Sequence, residues 1–265
     1  MKVMTFNLRF ENPEDGPNSW HRRKGLVLGM IERYRPEILG TQEGRWNQLC
    51  YLRDNLVDYL LLVSSERVID NTCQYPSLFI LKDRLDLIDY GEFWLSKTPH
   101  KHRSKDWDSA YPRMFSFALL EDRDTQLRFW ASVTHLDHIG KRAREEQIKM
   151  IIRWAEEREE PIVLMGDFND LPGSFIYQLL MDAGFSDTWV EGGGAEGERS
   201  FTHHDFSGNP ATGRIDWICI RGDVKIRDIE IIRDSIDGRY PSDHFPYMVS
   251  FTFLDDSFGG YRYAQ

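Results

Sequence analysis

The segment PIVLMGDF (161–168) constrains the fold more than any other part of the sequence. Its apolar residues are almost continuous, which is typical of a strand that is covered on both faces. The polar run GDFND ends this strand and is rich in turn-forming residues. We therefore expect a layered α/β protein in which polar side chains collect at the strand ends, where such folds build their sites.

Strands and helices are predicted along the rest of the chain by the spacing of apolar residues. Successive strands between residues 59 and 135 favour hairpins and mixed sheets over a purely parallel sheet. No repeat or linker divides the sequence, so we expect one domain over residues 1–265, ending in a surface tail at 258–265. The predicted helices are 19–34, 44–56, 141–158 and 173–183. The predicted strands are 2–10, 37–43, 59–63, 77–82, 86–95, 114–121, 126–135, 161–168, 215–221, 224–233 and 246–253.

Charge and cysteine content argue against some classes of protein. The net charge of −10 disfavours tight, non-specific binding to duplex DNA, because that binding depends on lysine and arginine displacing counterions. Cys50, Cys73 and Cys219 are widely spaced and odd in number, so we expect reduced thiols. No apolar run approaches the ~20 residues that span a bilayer, and no signal peptide is recognisable. We expect a cytoplasmic monomer that does not associate with membranes.

Polar residues stand at the ends of several predicted strands. Each has a structural alternative: a bulge at Asn7, a helix cap at Glu43, or a turn at Asp167. Asp216 is harder to explain in this way, since it lies inside the apolar run RIDWICI and a buried carboxylate needs a partner. The full set is Asn7, Glu43, His135, Asp167, Asn169, Asp216, Asp243 and His244.

Together these side chains supply what hydrolysis of a phosphate ester requires. The reaction needs a hard cation that draws charge from a phosphoryl oxygen, and a positioned water that attacks phosphorus. Carboxylate and carboxamide oxygens suit Mg²⁺ or Mn²⁺. A histidine held by a carboxylate binds phosphate or transfers protons near neutral pH. The sequence therefore predicts a Mg²⁺- or Mn²⁺-dependent phosphoesterase.

The motifs TFNLRF, TQE, GDFND, RIDWI and SDHFP, in this order, resemble the endonuclease/exonuclease/phosphatase (DNase I-like) superfamily over nearly the whole chain. The resemblance implies an α/β fold, a four-layer sandwich in which two packed mixed β-sheets are flanked by helices. The stretch 18–43, the run FWLSKTP and the motif THLDH look most similar to a bacterial branch related to CCR4- and nocturnin-type catalytic domains.

The resemblance also implies roles for the polar residues. Glu43 would be the principal metal ligand with Asn7 beside it, and Asp243 would be a second-site ligand. Asp167 would orient or deprotonate the attacking water. The remaining residues would bind the phosphate. Asn169 would hold the phosphate or the water, and His244, paired with Asp216, would contact the phosphate oxygens or share the base role. His135 would donate to the phosphate or stabilise the leaving side.

Three further residues are candidates for substrate binding. Arg113 lies where relatives often place a phosphate-binding arginine. Gln74 stands where many relatives carry a glutamate that pairs with the histidine of THL, so His135 is expected to be protonated less readily here. Trp107, in the basic loop 96–113, would stack on a base or ring, or lie in an ordinary solvated loop. In THLDH, Asp137 and His138 would contact a second metal or the substrate, or cap the next helix.

Two classes of function remain open at this point. The first is a metal-dependent phosphodiesterase or phosphatase, with either a small phosphate ester or single-stranded nucleic acid as substrate. The acidic net charge favours the small substrate over a nuclease or deadenylase. The second is a non-catalytic binding module that keeps the fold, which the complete set of reactive residues disfavours.

Overall fold

The computed structural model describes residues 1–210 and 212–254. The helices are α1 (Trp20–Tyr34), α2 (Trp46–Asn55), α3 (Lys141–Glu156), α4 (Phe175–Asp182) and α5 (Thr188–Glu191), with a 3₁₀ helix at Pro13–Asn18. The strands are β1 (Lys2–Asn7), β2 (Ile38–Gln42), β3 (Tyr59–Leu61), β4 (Ser77–Leu81), β5 (Leu85–Trp94), β6 (Met114–Asp122), β7 (Arg128–His135), β8 (Ile162–Asp167), β9 (Ser186–Asp187), β10 (Asp216–Arg221), β11 (Val224–Ile231) and β12 (Tyr247–Phe253).

The strands form two mixed sheets of six strands each. The first sheet has the order β11-β12-β1-β2-β4-β3, and the second has the order β5-β6-β7-β8-β10-β9. Within the first sheet, β1 is parallel to β2 and antiparallel to β12. Within the second, β8 is parallel to β7 and antiparallel to β10. The N-terminal strand therefore lies between a neighbour in sequence and the last described strand.

The two sheets pack face to face, and helices cover both outer faces. Alternate residues of one strand enter different layers: Val163 of β8 packs between the sheets, whereas Leu164 packs against α3 and α4. Likewise, Val3 of β1 lies between the sheets and Met4 lies beneath α1 and α2. Because both faces of these strands are buried, their sequences are apolar without alternation. The architecture is the four-layer α/β sandwich that the motifs implied.

Glycine 40 sets how closely the sheets approach. A Cβ atom there would collide with the side chain of Met165 in the facing sheet. Because glycine has no Cβ atom, β2 leaves space between the sheets at this position, and the side chain of Met165 fills it.

Each predicted helix and strand overlaps an observed one, with shifts at the ends. β1 ends at Asn7 rather than at residue 10, because the Oδ1 atom of Asn7 accepts the backbone N–H of Arg9, which has a φ of 51°. The 3₁₀ helix, β9 and α5 were not predicted; each is short. Cys73 and Cys219 are buried, Cys50 is half-buried, and all three are free, as expected. The predicted tail at 258–265 lies outside the described residues.

None of the helices in the described ranges has the length and apolar character needed to cross a membrane.

Candidate active site

One edge of the sandwich collects the polar residues from both sheets. Strands β1, β2, β7 and β8 end at this edge, whereas the antiparallel strands β10 and β12 begin there. In the second sheet, His135, Asp167 and Asp216 lie in register on three adjacent strands. Strand order and pairing thus bring together side chains that are far apart in sequence.

Asp167 lies at the centre of the cluster and is almost completely buried, with 2% of its surface exposed. Its Oδ2 atom accepts a hydrogen bond from Nδ2 of Asn7 at 3.0 Å, which joins the two sheets. The same oxygen lies 3.5 Å from Nε2 of His135 and 3.9 Å from Nε2 of His244. Its other oxygen accepts the backbone N–H of Asn169 at 3.0 Å.

Burial and the neighbouring carboxylate of Asp216 raise the pKa of Asp167 to about 7, although His244 opposes that shift. Burial disfavours the charged form, and a second negative charge across the strand pair acts in the same direction. A carboxyl group with this pKa exchanges a proton near neutral pH, as a general base must.

His244 and Asp216 form a buried pair. Nδ1 of His244 lies 2.8 Å from Oδ2 of Asp216. Burial alone would lower the pKa of His244, but the charge and hydrogen bond of Asp216, together with Asp167, raise it to about 10. The imidazole is therefore a cation at neutral pH, and it is fixed in orientation beside Asp167.

His135 is in the opposite electrostatic state. Burial and the nearby charge of Arg113 lower the pKa of His135, so its ring is neutral at pH 7. Nε2 of His135 lies 3.0 Å from Nδ2 of Asn169, which also donates to the carbonyl of Leu136 at 3.0 Å. Asn169 itself has a φ of 51°, a left-handed conformation that is uncommon outside glycine. The histidine thus acts as an acceptor that holds the Asn169 amide.

Glu43 follows β2 and also has a left-handed backbone, with a φ of 62°. Strained backbone of this kind persists where surrounding structure enforces it, often at functional sites. One carboxylate oxygen accepts the N–H of Phe10 at 3.0 Å, and the residue lines the cavity with Asp243. Asn7 approaches the same region, but its Nδ2 atom donates to Asp167 and its Oδ1 atom accepts the backbone N–H of Arg9.

Two other groups of side chains have ligand atoms within 4.8 Å of one another: His203 with Asp243 and His244, and Asp167 with Asp216 and His244. Both include the imidazole of His244, which carries a proton at neutral pH and would repel a cation. Glu43 and Asp243 also line the cavity, and carboxylate oxygens suit a hard divalent cation. Oδ2 of Asp243 lies 3.7 Å from Nη1 of Arg9.

Arg113 is buried, with 6% of its surface exposed, and burial lowers its pKa. Its Nη2 atom lies 3.3 Å from Nδ1 of His138, whereas Nε has no hydrogen-bond partner among the described residues and lies 3.6 Å from Asp137. Asp137 is itself fully buried and accepts backbone N–H groups of Ala110, Tyr111, Ile139 and Gly140. Asp137 therefore holds the backbone of the loops on both sides of it in place rather than facing a substrate.

These side chains line an open cavity of about 650 Å³, within the range of roughly 300–1,000 Å³ that small-molecule sites occupy. Of the candidates, Asn7 and Asp216 support the cavity from behind. Gln74 reaches its wall, but the hydrogen bond of His135 goes to Asn169 instead. Trp107 is not among the described residues that line the cavity; from the same loop, Tyr111 and Arg103 are. The candidates on the wall are Glu43, Gln74, Arg113, His135, His138, Asp167, Asn169, Asp243 and His244.

Some residues of the site were not identified from the sequence. Arg9, Arg45 and His203 line the cavity, and the ring of His203 lies 4.9 Å from that of His244. Arg23 is buried in α1 and donates to the carbonyls of Leu8, Arg9, Asn18 and Pro241. The NLR run at 7–9 was a signal for Arg9, but nothing in a helix sequence marks Arg23 as the anchor of two loops.

Comparisons with known proteins agree with the fold. A solved structure of a mannosyl-6-phosphatase from Bacteroides thetaiotaomicron is 28% identical, with a TM-score of 0.87 over 96% of this chain and 100% of that one. The human nocturnin catalytic domain is 20% identical, with a TM-score of 0.70 over 96% of this chain and 93% of that one, a likeness of fold. The probable RNA exonuclease NGL3 of Saccharomyces cerevisiae is 30% identical over 63 residues, which span only 12% of its length and 21% of this chain.

The model of the endonuclease/exonuclease/phosphatase family matches residues 4–244, from the first strand to the histidine of the Asp216–His244 pair. Its span contains every catalytic and metal-binding candidate that the structure brings to the sheet edge. The chain belongs to the endonuclease/exonuclease/phosphatase family.

Proposed function

We propose that this chain is a divalent-metal-dependent phosphatase that hydrolyses a small phosphate monoester by attack of water on phosphorus. The observation that carries the proposal is the position of Asp167, a buried carboxylate bonded to Asn7 and within 4 Å of two imidazoles on the floor of the cavity. A single carboxyl group with a pKa of about 7, facing a cation, is suited to accept a proton from water.

The water would be placed by Asp167 and by Asn169, which line the same cavity. Asn7 keeps the reacting oxygen of Asp167 in one orientation, and Asn169 is held in turn by His135. As the water attacks phosphorus, one of its protons passes to Asp167, the P–O bond to the alcohol breaks, and the alkoxide leaves as the alcohol after taking a proton from solvent. His135 is then a positioning residue that acts through Asn169, since its neutral ring accepts a hydrogen bond there.

The phosphate would be bound by fixed positive charges. His244 is a cation because its pKa is about 10, and the guanidinium-bearing residue Arg113 lines the same cavity. Hydrogen bonds from a charged donor to a phosphate oxygen are stronger than those between neutral groups. Donors fixed in place also stabilise the charge that grows on the phosphoryl oxygens during attack.

Glu43 and Asp243, with Asn7 behind them, are the residues that would hold the divalent cation. The cation would draw charge from a phosphoryl oxygen. Carboxylate oxygens favour Mg²⁺ or Mn²⁺ over softer metals.

The size and charge of the site support a small substrate. The cavity of about 650 Å³ suits a small molecule, and the net charge of −10 disfavours a long polyanion. The mannosyl-6-phosphatase that is similar over almost the whole chain acts, by its name, on a sugar phosphate. We therefore infer a phosphate monoester of a sugar-like alcohol.

A substrate panel tests the proposal. It contains mannose 6-phosphate, p-nitrophenyl phosphate, bis-p-nitrophenyl phosphate, single-stranded DNA and poly(A), each with Mg²⁺, Mn²⁺ or EDTA. We expect turnover of the monoesters with metal, and none with EDTA. Preferential cleavage of DNA or poly(A) would instead support a nuclease. Activity that survives the double change Asp167→Asn and His244→Ala would show that the site is elsewhere.

A further inference from the structure

We propose that Tyr111 is the platform on which the ring of a sugar phosphate rests while its phosphate lies on the cavity floor. The inference rests on the proposed function and adds the part of the site that selects the alcohol. Tyr111 was not identified from the sequence, which pointed to Trp107 in the same loop.

Tyr111 is unusual in being both exposed and held. It lines the cavity with 58% of its surface exposed. Its ring is stacked on that of His138, with centroids 5.6 Å apart and planes at 22°. The guanidinium carbon of Arg113 lies 5.9 Å from the tyrosine ring centroid. Two side chains thus contact the tyrosine ring, and more than half of the surface of Tyr111 remains exposed to a ligand.

The backbone of Tyr111 is fixed as firmly as its ring. Oδ2 of Asp137 accepts the N–H groups of Ala110 at 3.0 Å and of Tyr111 at 3.1 Å. The hydroxyl of Ser109 donates to the carbonyl of Tyr111 at 2.7 Å. Little conformational freedom remains to be lost when a ligand binds, which is what makes a preorganised surface effective.

The spacing along the loop places ring and phosphate recognition side by side. Arg113 follows Tyr111 by two residues and lines the same cavity. A substrate whose phosphate reaches Arg113 would therefore bring the group next to the phosphate over Tyr111.

A sugar also needs hydrogen-bonding partners for the hydroxyl groups at its edge, and the cavity supplies them. Thr72, Gln74 and Arg103 line the same cavity. Nη1 of Arg103 donates to Oδ2 of Asp70 at 2.8 Å and to Oγ1 of Thr72 at 2.7 Å, which fixes the guanidinium. A pyranose presents C–H groups on its face and hydroxyls on its rim. The negative face of an aromatic ring and a wall of polar side chains match these two surfaces.

The test compares two phosphate esters of primary alcohols that differ in whether a ring is present: mannose 6-phosphate and glycerol 3-phosphate. In Tyr111→Ala we expect the ratio of their kcat/KM values, mannose 6-phosphate over glycerol 3-phosphate, to fall about tenfold, the equivalent of about 1.4 kcal/mol. Tyr111→Phe keeps the ring and should keep the ratio. Thermal unfolding of both variants checks that the fold is intact.

The outcomes separate this inference from the proposed function. If both esters lose activity equally in Tyr111→Ala, or neither does, Tyr111 does not read the ring and the inference is overturned while the phosphatase stands. If adenosine 5′-monophosphate, tested in parallel, is the substrate that depends on Tyr111, the platform serves a base and the sugar assignment is wrong. If the wild-type protein hydrolyses no monoester with metal, the proposed function itself fails.

Discussion

Asp167 and Asp216 are paired residues on the antiparallel strands β8 and β10, so two buried carboxylates lie side by side in one sheet. Like charges in such a pair repel each other, and burial strengthens the repulsion. His244 offsets it, with Nδ1 at 2.8 Å from Asp216 and Nε2 at 3.9 Å from Asp167. The protonation states of the three groups are therefore linked.

The first prediction concerns stability and pH. Asp167 has a folded pKa raised from 3.8 to about 7, so the folded protein binds this proton more tightly than the unfolded chain does. Ionisation of Asp167 then lowers the free energy of unfolding. This loss is absent below about pH 4, increases between about pH 4 and pH 7, and stays constant above about pH 7. Asp167→Asn should raise the free energy of unfolding at pH 8 by an amount on the order of 1–2 kcal/mol, and change it little at pH 4.

Urea unfolding of metal-free protein in EDTA at several pH values measures this difference. Asp170→Asn, on the same loop, is the matched control and should show no such gain. Destabilisation by Asp167→Asn at pH 8 would mean that the attraction between Asp167 and His244 outweighs the burial penalty.

The second prediction concerns the charge of His244. Asp216 is the strongest of the influences that raise the pKa of His244 to about 10. Asp216→Asn should therefore lower that pKa by at least about one unit, because one nearby opposite charge typically contributes 1–3 units. NMR titration of the His244 ring in metal-free protein measures the shift directly. The alkaline limb of the pH–activity profile should move to lower pH; an unmoved limb would show that His244 is not the group that must stay protonated.

The third prediction compares His135 with Asp167. His135 is neutral and supports Asn169, whereas Asp167 is the proposed base. At pH 7 we expect His135→Ala to lower kcat roughly 10- to 100-fold and Asp167→Ala to lower it by about 10³-fold or more, in line with general-base contributions of 10²–10⁴. An equal loss in steady-state kinetics would contradict the positioning role. His135→Gln, which retains a hydrogen-bond acceptor, should recover part of the activity.

The fourth prediction concerns the cation. Glu43→Gln removes the charge of the proposed ligand but preserves its shape. The Mg²⁺ concentration for half-maximal activity should rise at least about tenfold, since changes around metal ligands commonly cost 10–100-fold in affinity. Glu14→Gln removes an exposed carboxylate of the 3₁₀ helix and serves as the control. Metal binding followed by calorimetry gives a second readout, and equal affinities in the two variants would argue against Glu43 as a ligand.

The fifth prediction concerns Arg23, which donates to four carbonyls from within α1. Arg23→Met leaves those carbonyls without their donor, so the free energy of unfolding should fall by about 3 kcal/mol or more, as expected when several buried hydrogen bonds are lost. The neighbouring Arg22 is exposed, and Arg22→Met should change stability by less than about 0.5 kcal/mol. Chemical unfolding measures the free energy of unfolding of the two variants. A similar change in both would mean that the hydrogen bonds of Arg23 do not stabilise the fold.

Much of the fold was predictable because the central strands are apolar on both faces. Runs such as IVLM at 162–165 cannot lie at a surface, and polar residues mark where they end. The assembly of strands into two sheets came from the resemblance of motifs, because spacing alone does not decide which strands pair. The short β9 and α5 gave no signal: among the described strands β9 pairs only with β10, and α5 is held by tertiary contacts.

The site was predicted unevenly for a similar reason. Residues that interrupt an apolar strand, such as Asp216, stand out because a charge there needs a partner. Functional residues on loops do not stand out in the sequence, since polar and aromatic side chains are common in loops. The sequence pointed to Trp107 as the stacking residue, and the structure instead brings Tyr111 of that loop to the cavity, because Asp137 holds the chain at residues 110 and 111.

The position of β1 between β2 and β12 has a consequence for synthesis. Asn7 leaves the ribosome long before His244 and β12, the strand that pairs with β1. The reacting groups meet only after that late strand has docked, so a nascent chain carries no assembled site. Pairing over such a separation in sequence also slows folding, because loop closure precedes the contacts that reward it. The proposed hydrolytic activity should therefore appear only after β12 has been synthesised and has paired with β1.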